Sequence, residues 1–392
     1  MADGVFITDG HWRKALAAVR ALGRRHIPVT VGESTWLATA AFSRHCTRRA
    51  VYPSAALTPH RFMEWLENDL RACPQRMLLP MEDDTIRLAA RHRERLGRLT
   101  YLPVVAAPIL ERAQRKDQVL ALAQELGIPT PRTFVIDRME ALEKLKSGLP
   151  YPVVIKPRTG AGAVGVAYAR NAAELVALYP RIHRRFAWPL IQERIPAEGE
   201  GIGASFLIDE AGRVKASFVH RRLREYPLTG GASTLRESFR HDAIRDMAAH
   251  LLKALNWFGV AMVEFKLDTR DGRPKLMEIN PRFWGSLALA IHAGVDFPHL
   301  LYRMARGERL QPVTCYRLGV QCRWLLPGDL LHFIHHPQRH RLRPDFFRWR
   351  RPNLHYDIVS LHDPWPVLAR LLTPLTFLYD ADMRRRLASR RI

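Results

Sequence analysis

The sequence predicts a chain of mixed class, α/β at its N-terminus and α+β beyond it, closed by a basic C-terminal extension. Three observations predict this. Strand and helix signals alternate through the first hundred residues, strand signals then come in pairs from about residue 150, and from about residue 312 the composition turns rich in Arg, His, Trp and Pro. Alternation marks a parallel sheet with crossover helices, and pairing marks an antiparallel one. At 392 residues the chain is long enough for two or three structural units with cores of their own. The predicted divisions are 1–107, 108–311 with subdomains about 108–190 and 191–311, and 312–392.

The elements follow in order. Residues 5–7 are a short apolar run turned by Thr8-Asp9-Gly10. Trp12, Ala15, Leu16, Val19 and Leu22 fall at helical spacing in a predicted helix over 11–24. Strands follow at 27–31, 77–80 and 101–105, and Glu82-Asp83-Asp84-Thr85 can cap the helix after the third strand. A helix over 108–126 is stopped by Gly127, and Ile128-Pro129-Thr130-Pro131 forces an extended exit. Strands are predicted at 151–156, 165–169, 189–194, 203–209 and 213–219, the last two joined by a hairpin turn at Asp209-Glu210-Ala211-Gly212. A helix over 241–257 sets Ile244, Met247, Leu251, Leu252 and Leu255 on one face before Gly259. Strands 260–268 and 275–279 flank a glycine turn.

Charge bounds the partners. There are 61 Lys and Arg against 38 Asp and Glu, a net charge of +23. That field attracts anions: nucleotides, phosphorylated substrates, nucleic acid or acidic lipid. An Arg-rich composition produces the same field, so charge informs on association and not on fold. Cys46, Cys73, Cys315 and Cys322 form no C-x-x-C pair, which argues against a metal or disulfide framework and fits a reducing, cytoplasmic setting. The N-terminus lacks a signal-peptide layout. No apolar run reaches the ~18 residues that suggest a membrane helix.

The first chemical motif is Lys156-Pro157-Arg158-Thr159-Gly160-Ala161-Gly162-Ala163-Val164-Gly165. Gly160, Gly162 and Gly165 match G-x-G-x-x-G, but a strand-like Val166-Ala167-Tyr168 follows where a dinucleotide fold needs a helix. The kinase order fails because the Lys precedes the loop, and a Walker A motif needs Gly-Lys-Ser/Thr. What remains is a hairpin with Lys156 at the end of its first strand and a glycine turn able to fold over phosphates, or else a plain surface hairpin. The second motif is Glu264-Phe265 followed by Glu278-Ile279-Asn280-Pro281-Arg282. Alternation puts Glu278 and Asn280 on one face, and pairing of the two strands brings Glu264 across from them. Two carboxylates and an amide oxygen suit Mg²⁺, a hard ion that bridges nucleotide phosphates. Arg282 would then face those phosphates or a substrate carboxylate.

Lys156-Pro157 with the glycine loop, Gln192-Glu193-Arg194-Ile195-Pro196, Glu264-Phe265 and Glu278-Ile279-Asn280-Pro281-Arg282 together resemble the ATP-grasp superfamily of ligases, over about residues 108–310. The first hundred residues resemble that family's preceding α/β domain. The resemblance implies ATP and Mg²⁺ as cofactors, with Mn²⁺ as the alternative ion. It implies that Lys156 and Lys116 meet the nucleotide, and that Gln192, Glu193, Arg194 and Ile195 form the hinge at the adenine. Glu200 would meet the ribose, although 197–203 departs from the family pattern. Glu264, Glu278 and Asn280 would hold the metal, and Arg282 would act at the reacting centre. The implied reaction activates a carboxylate as an acyl phosphate for attack by an amine. The alternatives are a carboxylase using bicarbonate and a non-catalytic nucleotide- or polyanion-binding protein.

Specificity is expected after these motifs and between them. Phe283-Trp284-Gly285-Ser286 follows Arg282, so Trp284 either walls an acceptor pocket or packs in a core. His220-Arg221-Arg222-Leu223-Arg224 leads into 227–238, which with Gly230-Gly231 is expected to be a substrate loop, and Arg221, Arg224 and Arg236 are expected to hold a substrate carboxylate or phosphate. Nucleic acid is not an expected partner. Phe346-Phe347-Arg348-Trp349-Arg350-Arg351 interleaves aromatics and bases only locally. Residues 364–379, with Arg384-Arg385-Arg386 and Arg390-Arg391 after them, are expected either to dock on the core or to rest on an anionic membrane surface. The sequence leaves the oligomeric state open.

Overall fold

Strands β1 (Val5–Ile7), β2 (Val29–Glu33), β3 (Arg48–Val51) and β4 (Met77–Leu79) form a parallel sheet in the order β3-β2-β1-β4 in the computed structural model, which describes residues 3–160 and 164–388. β1, β2 and β4 are buried along their whole length, as parallel strands covered on both faces must be. The structure differs from expectation at two places. Residues 101–105 form no strand, and Tyr101 makes only an isolated bridge to Met77. The edge strand is instead β3, whose Arg48 and Arg49 concealed it from an apolar-run search.

The helix expected over 108–126 is two helices, Ala107–Gln114 and Lys116–Glu125, broken at an extended Arg115. The break lets the Lys116 backbone N–H donate to the Arg158 carbonyl at 2.8 Å, so the second helix begins against the glycine loop. Next come β5 (Thr133–Phe134), β6 (Val153–Lys156), β7 (Ala167–Ala169) and β8 (Leu190–Glu193), a small antiparallel sheet ordered β5-β8-β6-β7. Its core is its own, with Val153, Ile155, Leu175, Tyr179 and Ile191 at the centre.

The largest sheet has seven strands: β9 (Gly201–Ile208), β10 (Val214–Tyr226), β11 (Ala232–Ser238), β12 (Gly259–Leu267), β13 (Pro274–Asn280), β14 (Gln321–Arg323) and β15 (Leu354–Tyr356), in the order β13-β12-β9-β10-β11-β14-β15. Register fixes its faces. Glu278 lies opposite Glu264, Glu264 opposite Gly203, and Gly203 opposite His220, so these four share one face. The other face carries Val263, Phe265, Ile202, Ala204 and Val219 onto helix Asp242–Ala254 through Ile244, Ala248, Leu251 and Leu252.

Two expectations are corrected here. The substrate loop expected through 227–238 is mostly strand: β10 runs to Tyr226 and β11 begins at Ala232. The C-terminal extension is not an addition. β14 pairs with β11, β15 pairs with β14, and Val320, Cys322 and Ile358 share one core with Val5, Leu16 and Leu289. Among the described residues, no helix is long and apolar enough to cross a membrane.

Candidate active site

The site forms where the small sheet's glycine hairpin meets the β12–β13 edge of the large sheet. Lys156 ends β6 and is buried. Gly160 and Gly165 take φ of +101° and +74°, which only glycine adopts at low cost. At Gly165 a Cβ would also lie 2.6 Å from both Phe186 and Pro157, so the turn has no room for a side chain. Gly162 lies outside the described residues.

Lys116 joins the two halves. Its Nζ donates to the Gly160 carbonyl at 2.6 Å and lies 3.2 Å from Glu278 Oε2. Glu264 and Glu278 face each other directly across the ladder. Like charges so placed repel, and burial first and Glu278 second push the Glu264 carboxyl up against the opposing pull of Arg222. Asn280 Nδ2 donates to Glu264 Oε1 at 3.0 Å, and Arg222 Nη2 donates to Glu264 Oε2. A half-buried guanidinium thus balances an oxygen-rich face that would otherwise carry two unshielded negative charges. That donor set fits Mg²⁺, which takes oxygen ligands and keeps water and phosphate oxygens for the rest of its shell. Among the described residues no third carboxylate, His or Cys joins the two glutamates.

Arg282 sits at the end of β13, facing the N-terminal domain. It donates from Nε to Asp83 Oδ1 at 2.9 Å, from Nη2 to Asp83 Oδ2 at 3.3 Å and from Nη1 to the Phe283 carbonyl at 3.2 Å. Burial alone would raise the Asp83 carboxyl, but Arg282 and Lys14 outweigh it and hold it down at about 2. Lys14 Nζ is 2.5 Å from Glu82 Oε1 and donates to the Phe283 carbonyl at 3.1 Å. Glu82 also caps its helix in a reciprocal box with Thr85. The acidic run read as a helix cap therefore also orients the arginine.

The residues expected at the hinge anchor strands. Gln192 Nε2 donates to Thr133 Oγ1 at 2.7 Å, Glu193 Oε1 accepts from the Arg132 backbone N–H at 2.8 Å, Arg194 stacks over Tyr168, and Ile195 is buried. Five expected contacts lie elsewhere. Glu200 and Arg221 sit on the opposite face of the large sheet from Glu264, where Arg221 bridges Glu200 at 3.2 Å and Glu237 at 2.9 Å. Arg224 is buried against Asp329 at 2.8 Å, and Arg236 is buried against Asp357. Arg224 and Arg236 are thus spent on carboxylates of the C-terminal segment. Trp284 packs edge-on to Phe297 with ring centres 5.0 Å apart, so it belongs to the core and not to a pocket wall.

Arg222, Lys14 and Asp83 were missed by sequence reading. For Arg222 a signal existed: had β10 been extended past 219, alternation would have put Arg222 on the face of His220 and Glu264. Lys14 lies on a helix of another domain, and no local pattern points to it.

Burial first and the nearby Lys116 charge second push the Lys156 ammonium down to about 7, against the pull of Glu278. A phosphate favours the protonated form. Below this value Lys156 is already charged and affinity for Mg-ATP should be level with pH. Above it, binding must take up a proton, and affinity should fall by up to about tenfold per pH unit. Calorimetric titration in buffers of different ionisation enthalpy measures that uptake, and Lys156→Met should abolish it.

The family described as ATP-grasp in the biosynthetic pathway with Ter operon matches residues 207–326. The N-terminal section of the carbamoyl phosphate synthase large chain of Methanopyrus kandleri is 27% identical over 213 residues, covering 52% of this chain and 37% of that one. The chain therefore spans well under half the length of this relative. Among solved structures, the biotin carboxylase domain of Hydrogenobacter thermophilus 2-oxoglutarate carboxylase, in complex with MgADP and bicarbonate, superposes with a TM-score of 0.68 at 16% identity, covering 82% of this chain and 74% of that one. L-amino acid ligase from Bacillus licheniformis gives 0.60 at 18% identity, covering 78% and 75%. Taken with the glycine hairpin and the carboxylate face of β12 and β13, these likenesses support an ATP-grasp ligase-like protein.

Proposed function

We propose that the protein is an ATP-dependent ligase that phosphorylates a carboxylate to an acyl phosphate and joins it to an amine, giving an amide, ADP and phosphate. The observation that carries this reading is the meeting of Lys116, Lys156 and Glu278 at the glycine hairpin, with Glu264 and Asn280 beside them. The likeness to an L-amino acid ligase supports an amine as acceptor.

The residues divide the work. Lys156 and Lys116 place positive charge where the terminal phosphates would lie, and the turn at Gly160 and Gly165 lets backbone N–H groups approach them. Glu264, Glu278 and Asn280 would hold Mg²⁺, which when bound offsets charge on the transferring phosphoryl group. Arg282 spends three of its five N–H groups on Asp83 and the Phe283 carbonyl, so it is held in one orientation with donors left for an acid. A carboxylate oxygen attacks the terminal phosphorus and the bond to ADP breaks. The amine nitrogen then attacks the acyl carbon, phosphate leaves, and the amine's proton passes to solvent. No protein nucleophile takes part.

The test is ADP release with Mg-ATP and pools of carboxylic acids, with and without amines, and with hydroxylamine as a trap. Acid-dependent ADP release with hydroxamate formation is the expected result. ADP release that needs bicarbonate and no other acid would replace this reading with a carboxylase. Release that ignores every acid, amine and bicarbonate would overturn it.

A further inference from the structure

Residues 365–379 form one continuous helical run, made of the helix Trp365–Leu372, a tight turn Thr373–Leu375 and the helix Thr376–Tyr379. Its amphipathicity is inverted. The side facing the protein carries Pro366, Ala369, Thr373 and Thr376. The side facing out carries Trp365, Leu368, Leu371, Leu372, Leu375, Leu378 and Tyr379. Trp365 is 60% exposed, Leu371 58% and Leu378 77%. Spacings of three and four residues stack these side chains into a stripe roughly 140° wide. A globular helix normally turns such a stripe inward. Here the small and polar residues pack on Thr39–Phe42 and the large ones have no cover.

The stripe is extended by neighbours. Tyr379 OH lies 2.8 Å from Thr35 Oγ1, next in sequence to Trp36, which is 60% exposed and beside Phe42. Leu361, four residues before Trp365 in sequence, is 90% exposed. Arginines without a carboxylate partner among the described residues rim the patch. Arg49 lies over the Phe42 ring at 4.4 Å, Arg44 donates to the His362 carbonyl at 3.3 Å, and Arg384 donates to the Leu378 carbonyl at 3.1 Å. Arg390 and Arg391 lie outside the described residues.

We propose that this face docks on an anionic lipid bilayer, with the leucines in the acyl boundary, Trp36, Trp365 and Tyr379 at the headgroup level, and the arginines on lipid phosphates. The chemistry favours a bilayer over a second copy of the chain. A twofold contact would press each arginine rim against its own image in a molecule of net charge +23. A leucine stripe with interfacial aromatics and a basic border is what a lipid surface binds. The length and the interrupted geometry of the run place it in the interface plane rather than across the membrane. The inference is independent of the ligase reading, since none of these residues touches the nucleotide site.

The test is flotation of the full chain with vesicles of phosphatidylcholine and phosphatidylglycerol in equal parts. The triple variant Leu368→Glu, Leu371→Glu, Leu375→Glu is run beside the wild type. All three side chains are exposed, so the variant should keep the wild-type melting temperature. Wild type is expected to float at low salt and to be released as salt rises. The variant should bind on the order of tenfold less or weaker. Absence of wild-type flotation, or equal flotation of the variant, would overturn the proposal. Equal binding to phosphatidylcholine alone would overturn its anionic part. A wild-type dimer in sedimentation velocity that the variant breaks, without flotation, would give the face to a second copy instead.

Discussion

Glu278→Ala is expected to remove the thermal stabilisation by Mg-ATP and to lower ATP turnover by at least about a hundredfold, the scale of losing one preorganised charge in a phosphoryl-transfer site. Three roles converge on this carboxylate. It faces Glu264 across the ladder, it holds Lys116 at 3.2 Å beside the glycine hairpin, and it draws on both Lys156 and Arg282. The ligand-free protein should not weaken in step. Glu264 and Glu278 repel each other, so removal of one relieves the other. The melting temperature without ligand should therefore hold or rise while the ligand-induced shift disappears. Glu278→Gln keeps the shape and removes the charge. It should behave like the Ala variant in the Mg-ATP shift if charge is what matters. Thermal shift of wild type and both variants, at moderate salt to suppress loose polyanion binding, reads all of this. An unchanged Mg-ATP shift in both variants would remove Glu278 from the site.

The large sheet was legible because its chemistry lies on strands with strict alternation. Met277, Ile279 and the polar Glu278 and Asn280 announce a half-buried strand, and the glycine turn after Asp268 announces its pairing with Glu264. The same rule, carried one strand further, would have shown that Glu200 and Arg221 share the parity of Ile202 and Val219 and so face away from Glu264 and Glu278. What hid this was the end of β10. Its arginine run looks like a solvated loop, yet Arg222 is drawn in by a carboxylate from β12, and Arg224 is buried against Asp329 in the C-terminal segment. β11 was hidden for a related reason. Gly230-Gly231 and the Ser-Thr pair after it carry loop propensity, and strand formation there is imposed by partners on both sides. β14 and β15 span three residues each, shorter than any periodicity can register. The apolar stripe of 365–379 was visible as composition, but which side of it faces the protein depends on what packs against it.

The buried pair Arg236–Asp357 yields the other large effect, on stability. Asp357→Ala is expected to destabilise the protein by roughly 3–5 kcal/mol, because it leaves a fully buried guanidinium without its counter-charge. Arg236 lies on β11 and Asp357 just past β15, so the pair ties the C-terminal segment to the rest of the sheet. Burial alone would raise the Asp357 carboxyl, but Arg236 and Arg13 outweigh it and hold it below the usual carboxylate range. Cys322 Sγ donates to the same oxygen at 3.2 Å, and the Asp357 backbone carbonyl accepts from Arg20 Nη1 at 3.0 Å. The loss therefore reaches the first helix as well. Arg236 also leaves Nε and Nη1 without a hydrogen-bond partner among the described residues, a cost that the Asp357 charge must offset. For that reason the double variant Arg236→Met, Asp357→Leu should recover part of what Asp357→Ala loses, since it removes the stranded Arg236 charge and its unmet donors and leaves only Arg13, 3.7 Å from Asp357, without that partner. Chemical denaturation of wild type, single and double variants measures this directly. If Asp357→Ala unfolds at the wild-type midpoint, the C-terminal segment is not held through this pair. If the double variant is as weak as the single one, Arg236 is needed for something other than its partner, and its place in the substrate site would have to be considered again.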